Sequence, residues 1–375
     1  MPLYLNEDQT MLRDAAQGFI AEHAPVSHMR ALRDSGSADG FSRDLWRQFA
    51  EMGFTGVLMD ENDGGLGLGH VEAGVVLEEI GRNLAPSPFL TTAVAAVEAL
   101  KGTPHAARWF PGILAGETVA ALAVDDSAKH RASVSLKAER AGNGFRLSGA
   151  KQFVTHGHVA DMLIVAARTS GSAGDAKGIT LFAVERGAAG LSATPERLAD
   201  ASIAARLAFN AVEVDADAVI GEVDNGQSPL GRLLRAGRVG AAAELLGVGA
   251  GAMDMTVNYL KERKQFGVPI GSFQALQHRA AHLYAEMEVA RAAVLKAQQL
   301  LDTGDAGANE AVSVAKAMTA MATTLAVQEG VQMHGGIGMT DEYNIGFYMK
   351  RGRVLAEVFG DANFHADQLA RTTGY

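Results

Sequence analysis

The chain has 375 residues, a formal net charge of −10 and no cysteine. The acidic balance argues against nucleic acid as a partner, and the lack of thiols excludes disulfides, thiolate metal sites and catalytic cysteines. No apolar run reaches the roughly 18 residues that span a membrane. The opening MPLYLNEDQ lacks the charged and apolar regions of a secretory signal. We therefore expect a soluble cytoplasmic protein with no metal site and no membrane segment.

The first 118 residues have the pattern of a helical domain. Residues 6–35 carry apolar side chains at helical spacing behind a cap at Asn6, and a second helix follows a cap at Ser42. Further helices are predicted at about 71–82, 88–101 and 104–115.

The pattern changes between residues 119 and 222, where short apolar runs are separated by Gly, Asn and Asp turns. This is typical of a small antiparallel β domain, a barrel or a sandwich. We predict hairpin loops at Gly171–Gly178 and at Gly187–Gly190. Helical periodicity then returns. The predicted fold is mostly α with a central β domain: an N-terminal helical domain at 1–118, the β domain at 119–222 and a C-terminal four-helix bundle at 223–375.

Three long helices are predicted in the C-terminal part. The first runs from Arg238 to Phe266, the second from Phe273 to Thr303 behind a cap at Ser272, and the third from about Asn309 to His334.

The first of these helices has one face that is nearly free of side chains. Glu244 lies in the middle of this face, and no residue three or four positions away can pair with its carboxylate. Each helical glycine costs roughly 1 kcal/mol, so a glycine-rich face needs a reason. Either another helix packs very close, or a ligand lies along the face. The small residues are Gly237, Gly240, Ala241, Gly247, Val248 and Gly251.

Two motifs resemble the signature regions of the acyl-CoA dehydrogenase family. They are YLKERKQFGVPIGSFQALQHRAA at 259–281 and QMHGGIGMTDEY at 332–343. The N-terminal segment LWRQFAEMGFTGVLMDENDGGLGLG at 45–69 is also similar. The segment LSGAKQFVTHGHVADMLIVAART at 147–169 resembles the strand that contacts the flavin ring in that family. The resemblance covers essentially the whole chain.

The resemblance implies that FAD binds between the β domain and the bundle, and across a subunit interface. Arginine suits pyrophosphate, and consecutive glycines let backbone amides approach an anion. The implied FAD-binding residues are Phe153, Val154 and Thr155 along the isoalloxazine, Arg263, Gln265, Phe266 and Gln274 at the adenine diphosphate part, and Gln332, Gly335 and Gly336 from a neighbouring chain. The implied substrate-binding residues are Val124, Arg238 and Ala241.

The chain departs from the family at the catalytic base. Most members carry a glutamate before a glycine near the C-terminus, where this chain has Phe359 before Gly360. Some relatives place it before the conserved arginine, where this chain has Gly237. Glu244 follows Gly237 by two helical turns, roughly 10 Å along the same face. We therefore predict that Glu244 is the base and points along the acyl groove.

Two other carboxylates are alternatives to Glu244, and a buried structural role for Glu244 also stays open. Asp361 precedes the last helix, so its expected role is an N-cap. Glu357 is expected to be a surface helix residue. A second departure is the loop AVDDSAKHRASVS at 123–135, which lacks the family's usual thioester-binding sequence.

The reaction implied by the resemblance is FAD-dependent α,β-dehydrogenation of an acyl-CoA to a trans-2-enoyl-CoA, with electrons passed to an electron-transfer flavoprotein. The ending FGDANFH is similar to that of subunits acting on bulky steroid side-chain thioesters, so the role is expected in fatty acid or steroid side-chain degradation. A homo- or hetero-oligomer, dimer or tetramer, is expected. Alternatives are a non-catalytic or half-site subunit of a heteromeric complex, or another flavin-dependent oxidation on this fold.

Overall fold

The computed structural model of the protein describes residues 2–131, 133–175 and 177–374. Helices at both ends of the chain flank a central β-sheet, so the predicted fold class is confirmed. Within the described residues, no helix combines the length and the apolar character needed to cross a membrane.

Two of the N-terminal helices begin directly after residues whose side chains cap them. The amide oxygen of Asn6 accepts a hydrogen bond from the backbone N of Gln9 at 2.8 Å, and Ser42 Oγ accepts one from Leu45 N at 3.2 Å. Pro25 divides the predicted helix over 6–35 into two. The helices are α1 Glu7–His23, α2 Val26–Asp34, α3 Arg43–Glu51, α4 His70–Arg82, a π-helical turn Leu90–Ala96 that continues into α5 Val97–Leu100, and α6 Pro104–Leu114.

The central sheet has eight strands in the order β6-β7-β3-β2-β4-β5-β8, with β1 paired to β4. The prediction of a purely antiparallel sheet is wrong, because β1 and β2 both pair with β4 in parallel. Strands β1 and β4 are buried at every position, which is typical of parallel pairing. The strands are β1 Ala120–Ala123, β2 Lys137–Ala141, β3 Gly144–Thr155, β4 Met162–Arg168, β5 Ile179–Glu185, β6 Leu191–Arg197, β7 Ile203–Val214 and β8 Val219–Ile220.

One of the two predicted hairpin loops is confirmed. Strands β4 and β5 pair antiparallel on either side of Gly171–Gly178, a segment in which Ala176 lies outside the described residues. The prediction for Gly187–Gly190 is wrong, because these residues join β5 to β6 and those strands are not neighbours. A glycine-rich turn predicts a change of chain direction, but it does not predict which strand the following strand will pair with.

The C-terminal part consists of five helices and a short hairpin. The first helix begins earlier than predicted and ends at Glu262, because β9 and β10 form an antiparallel hairpin next. Phe266 and Gly267 occupy its turn with φ of 55° and 83°, as a two-residue turn with two positive φ angles requires. The elements are α7 Gln227–Glu262, β9 Lys264–Gln265, β10 Val268–Pro269, α8 Gln274–Asp302, α9 Ala308–His334, α10 Ile345–Glu357 and α11 Ala362–Thr373.

The predicted cap at Ser272 is wrong. Phe273 is the residue before α8, and the Ser272 hydroxyl instead donates to the carbonyl of Pro269 at 2.7 Å. Ser272 is the last residue of a 3₁₀-helical turn at Ile270–Ser272, so α8 begins only after that turn.

Contacts divide the chain into two compact units. The first comprises Met1–Ala31, Gly69–Ala85 and Arg238–Tyr375, and the second comprises Leu32–Leu68 and Pro86–Gly237. The predicted three-domain boundaries remain a prediction.

In the first unit, α4 and α7 pack with their backbones in contact. A Cβ added to Gly247 of α7 would lie 1.9 Å from the carbonyl oxygen of Glu78, and one added to Gly81 of α4 would lie 2.0 Å from that of Glu244. Real Cβ atoms do not approach backbone this closely. Close packing of a neighbouring helix therefore explains why position 247 on the glycine-rich face has no side chain.

A buried lysine on α9 holds the turn between α10 and α11. Lys316 is fully buried, and its ammonium group donates to the carbonyls of Ala356 at 2.9 Å and Gly360 at 3.0 Å. Burial, assisted by the nearby charge of Arg238, lowers the pKa of Lys316 to about 7 against the opposing effect of Glu357 and Asp361.

We expect Gly247→Ala to destabilise the protein by about 1–3 kcal/mol, because the added methyl group meets backbone that can move only if the helices separate. Thermal unfolding of the purified protein measures the loss. The control is Gly18→Ala in α1, where an added Cβ meets nothing within 4 Å. This control is expected to be neutral or slightly stabilising. Equal behaviour of the two variants would contradict the close packing.

We expect the stability of the wild type relative to Lys316→Met to rise with pH between about 7 and 10. In this range the unfolded lysine binds a proton that the folded lysine has lost, so raising the pH favours the folded state. The limiting slope for one proton is about 1.4 kcal/mol per pH unit. Urea unfolding of both proteins at pH 7, 8 and 9 measures it. A difference that does not change with pH would contradict the lowered pKa.

Candidate functional site

In the second unit, the predicted flavin-facing segment lies at an irregularity of the sheet. Strand β3 pairs with β7 at Lys151↔Leu207 and next at Val154↔Ala205, so the register shifts between these pairs. Phe153 lies in the shift with a φ of 56°. Val154 is buried, whereas Phe153 and Thr155 are half-buried. Bulges of this kind redirect side chains and are common beside active sites.

A buried lysine joins this segment to the predicted substrate residue Val124. Lys151 is fully buried, donates to the Val124 carbonyl at 2.8 Å and pairs with Asp126 at 2.6 Å. Burial lowers the pKa of Lys151, and the carboxylate of Asp126 opposes this. Asp125 adds a bond, since its carbonyl accepts from Gln152 N at 2.8 Å. The structure therefore brings Val124 close to the segment containing Phe153.

The unusual loop at 123–135 is anchored by its own side chains. Nδ1 of His130 lies 2.7 Å from Oδ1 of Asp125. Ser135 Oγ donates to the carboxylate of Asp126 at 3.0 Å. These bonds close the loop without the sequence that the family usually has there, and Ala132 lies outside the described residues.

In the first unit, the predicted adenine-diphosphate residues lie on or near an exposed hairpin, with Arg263 directly before β9 and Gln274 at the start of α8. Arg263, Gln265 and Gln274 are exposed, and the ring of Phe266 is 93% exposed. Backbone bonds fix the hairpin, because Ile270 N donates to the Arg263 carbonyl at 2.8 Å. An exposed aromatic ring next to a guanidinium offers stacking and phosphate pairing to a nucleotide.

The residues predicted to reach a neighbouring chain's flavin are also exposed. Gln332, Gly335 and Gly336 lie at the end of α9 and in the turn after it, and a Cβ at either glycine would meet nothing within 4 Å. His334, by contrast, is buried with its ring stacked 4.4 Å from that of Tyr259.

These residues fit a flavin dinucleotide. The exposed guanidinium of Arg263, the exposed ring of Phe266 and the open backbone at Gly335 and Gly336 supply the donor types that a pyrophosphate and a planar base need. Among the described residues, no group of three or more metal-ligating side chains comes together.

Glu244 does not lie in an open apolar groove. It is 3% exposed, and Arg351 of α10 donates to its Oε1 through Nε at 3.0 Å and also through Nη2. Glu244 is therefore bonded to a different helix, as expected if its role is that of a buried structural residue. Both of these hydrogen bonds reach Oε1 of Glu244.

The turn at Phe359 is held by the predicted substrate residue Arg238. Nε of Arg238 donates to the Phe359 carbonyl at 3.4 Å, and its guanidinium lies 5.5 Å from the ring centre of Phe364. Ala241, one turn further along α7, is fully buried. Phe359 is buried with a φ of 59°, an uncommon conformation for a residue other than glycine.

The two alternative carboxylates have the structural roles expected from the sequence. Asp361 caps α11, because its Oδ1 accepts from Phe364 N at 2.8 Å. Glu357 pairs with Arg353 on the same helix at 2.9 Å. Neither contact excludes a chemical role, and the assignment of Glu244 as base stays a prediction.

Sequence reasoning missed two cations that organise this region, Lys316 and Arg351. Lys316 occurs at helical spacing with the buried residues Val312, Ala315 and Thr319, and a lysine on an apolar stripe is a signal for a buried ammonium group. Arg351 lies in the charged run KRGR, which gives no sign that it reaches Glu244.

Models of three protein domains match the chain. They are the acyl-CoA dehydrogenase N-terminal domain at residues 6–117, the middle domain at 125–212 and the C-terminal domain at 225–374.

Known proteins resemble the chain over nearly its whole length. It is 31% identical over 362 residues to acyl-CoA dehydrogenase FadE12 of Mycobacterium tuberculosis, covering 93% of this chain and 91% of that protein. Among solved structures, a variant of the Tcur3481-Tcur3483 steroid ACAD is 32% identical with a TM-score of 0.88, covering 98% of each chain. A chain from a study of the electron transferring flavoprotein of Acidaminococcus fermentans is 28% identical with a TM-score of 0.90, covering 100% of each.

The domain models match most of the sequence, and a curated relative exceeds 30% identity over most of its length. Proteins of this kind are flavoproteins that use FAD. The chain belongs to the acyl-CoA dehydrogenase family.

Proposed function

We propose that this protein catalyses the FAD-dependent α,β-dehydrogenation of an acyl-CoA thioester to a trans-2-enoyl-CoA and passes the electrons to an electron-transfer flavoprotein. The main support is the exposure of two separate segments of the first unit. One carries Arg263 and the 93% exposed ring of Phe266, and the other is the turn at Gly335 and Gly336, where an added Cβ would meet nothing within 4 Å. An aromatic ring this exposed is a candidate ligand contact.

Phe153, Val154 and Thr155 are our candidates for contact with the flavin ring. Arg263, Gln265, Phe266 and Gln274 are our candidates for contact with the adenine diphosphate part. Gln332, Gly335 and Gly336 would serve the flavin of a neighbouring chain. FAD supplies the acceptor for the hydride that leaves the substrate's β-carbon. The chain's own residues would orient the thioester, exclude water and remove the α-proton. Val124, Arg238 and Ala241 are our candidates for contact with the acyl-CoA.

We propose Glu244 as the base that removes the α-proton. Glu244 is the most buried of the three candidate carboxylates. Asp361 caps α11, and Glu357 forms an ion pair with Arg353 on its own helix. Arg351 fixes the side chain of Glu244 through hydrogen bonds to Oε1. A positioned base of this kind contributes typically 10²–10⁴-fold to a rate.

The acyl group in this proposal is bulky or cyclic. Support comes from the similarity to a steroid ACAD at 32% identity. The same similarity supports a role in steroid side-chain rather than simple fatty acid degradation. Assembly as a homo- or hetero-oligomer, a dimer or tetramer in the cytoplasm, belongs to this proposal as well.

One observation favours a second candidate function, that of a half-site subunit whose partner chain supplies the base. Glu244 is tied to Arg351, and the two positions where relatives carry the base hold Gly237 and Phe359. A chain with these features can complete a flavin site without turning over substrate itself.

We expect acyl-CoA thioesters with bulky acyl groups to bleach the visible flavin band of the wild-type protein under anaerobic conditions. Glu244→Gln is expected to retain bound flavin and to lose at least about 100-fold in the bleaching rate, because the amide cannot accept the proton. Stopped-flow absorbance measures both quantities.

Two control variants separate chemistry from stability. Glu286→Gln changes an exposed carboxylate of α8 and should bleach like the wild type. Arg351→Gln breaks the same ion pair but leaves the Glu244 carboxylate, so it should lose stability and keep more activity than Glu244→Gln. Near-normal bleaching in Glu244→Gln would remove the assignment of the base. A flavin that no acyl-CoA bleaches would count against the proposed reaction.

The half-site alternative makes a different prediction for Phe359→Glu, which puts a carboxylate where most relatives have one. If the chain lacks only a base, the rate of flavin bleaching should rise by about 10²-fold or more above the wild type. Phe359→Gln has a similar shape without the charge and should show no gain. If Glu244 is the working base, neither variant should exceed the wild type.

A further inference from the structure

The first unit contains a cavity of about 660 Å³ between α1, α4, α7 and α8. This volume lies in the range of sites for small organic molecules. One wall is apolar and is formed by Val75, Leu246 and Val294, which are all buried. None of the residues assigned above to FAD or acyl-CoA lines it.

Two residues that line the cavity, Glu79 and Arg82, each contain a buried polar atom without a hydrogen-bond partner among the described residues. Glu79 of α4 is 3% exposed, and its Oε2 has no hydrogen-bond partner among the described residues. The same holds for Nε of Arg82, which lies 3.4 Å from Oε1 of Glu79. Buried polar atoms are nearly always paired, so two such atoms on residues that line a cavity point to a ligand.

The charges around these residues are otherwise balanced. Arg291 donates to both oxygens of Glu78 at 2.7 Å, and the terminal nitrogens of Arg82 pair with Glu78 at 3.6 Å and with Asp254. A ligand anion would meet carboxylates and a ligand cation would meet guanidinium groups, because three residues of each kind line the cavity: Glu78, Glu79 and Glu288, and Arg13, Arg82 and Arg291. Neither sign of charge fits, whereas a neutral polar group does.

Burial raises the pKa of Glu79, and the charge of Arg82 opposes this. A hydroxyl group is compatible with either form of the carboxyl, because it has one hydrogen to donate and lone pairs to accept.

We propose that this cavity binds a neutral amphipathic alcohol. Its hydroxyl oxygen accepts from Arg82 Nε, its hydroxyl hydrogen is donated to Glu79 Oε2, and its aliphatic or alicyclic body packs against Val75, Leu246 and Val294. The site is separate from the proposed dehydrogenase chemistry and does not depend on it.

The test is isothermal titration calorimetry of the purified full-length protein with cyclohexanol as the probe. We expect saturable binding to the wild type. Cyclohexylammonium and cyclohexanecarboxylate, which have the same ring with a charged group, should bind at least about tenfold more weakly. If either charged probe binds as tightly as cyclohexanol, recognition of a hydroxyl is overturned.

Variants locate the binding in this cavity. Glu79→Leu removes the acceptor and should weaken cyclohexanol binding about tenfold or more. Val294→Phe adds bulk at the apolar wall and should abolish binding while leaving the Glu79–Arg82 pair in place. The control Glu286→Leu changes an exposed glutamate of α8 and should bind like the wild type. Absence of binding to the wild type, or binding unchanged in both cavity variants, overturns the proposal.

Discussion

The contact between α4 and α7 is the constraint on which the first unit depends. Backbone meets backbone at Gly81 and Gly247, so neither position has room for a side chain. Two helical glycines cost roughly 2 kcal/mol in helix propensity, which dispersion contacts between closely packed helices offset. The contact sets the rotation of both helices about their axes. It therefore decides that Glu244 faces α10, and that Glu79 and Arg82 face the cavity.

The pairing of Glu244 with Arg351 follows from this rotation and limits how the glutamate can be used. A buried carboxylate needs a counter-charge, and removing one partner of such a pair costs about 3–5 kcal/mol. The arginine thus serves stability whether or not Glu244 takes a proton. A base in this position would be held rigidly by Arg351, and the same ion pair would also stabilise the fold. Any effect of changing it combines chemistry with folding, which only a second variant of the same pair can separate.

Features that depend on neighbouring residues could be predicted from the sequence, and those that depend on distant residues could not. The caps at Asn6, Ser42 and Asp361 follow from three-residue spacing. Arg351 is 107 positions from Glu244, so no local pattern could pair them. From the sequence, either a neighbouring helix or a ligand could lie against the glycine-rich face of α7. The sequence shows which positions lack side chains, but not what occupies the space beside them.

The turn at Phe359 shows that scaffold and chemistry are separable in this fold. A phenylalanine at a φ of 59° costs roughly 1–2 kcal/mol, yet the turn keeps that conformation. Its shape is held through backbone carbonyls, by Lys316 at Ala356 and Gly360 and by Arg238 at residue 359 itself. None of these bonds involves the side chain of Phe359. The hydrogen bonds that shape this turn are therefore independent of the side chain at residue 359, and a carboxylate placed there would meet the same backbone.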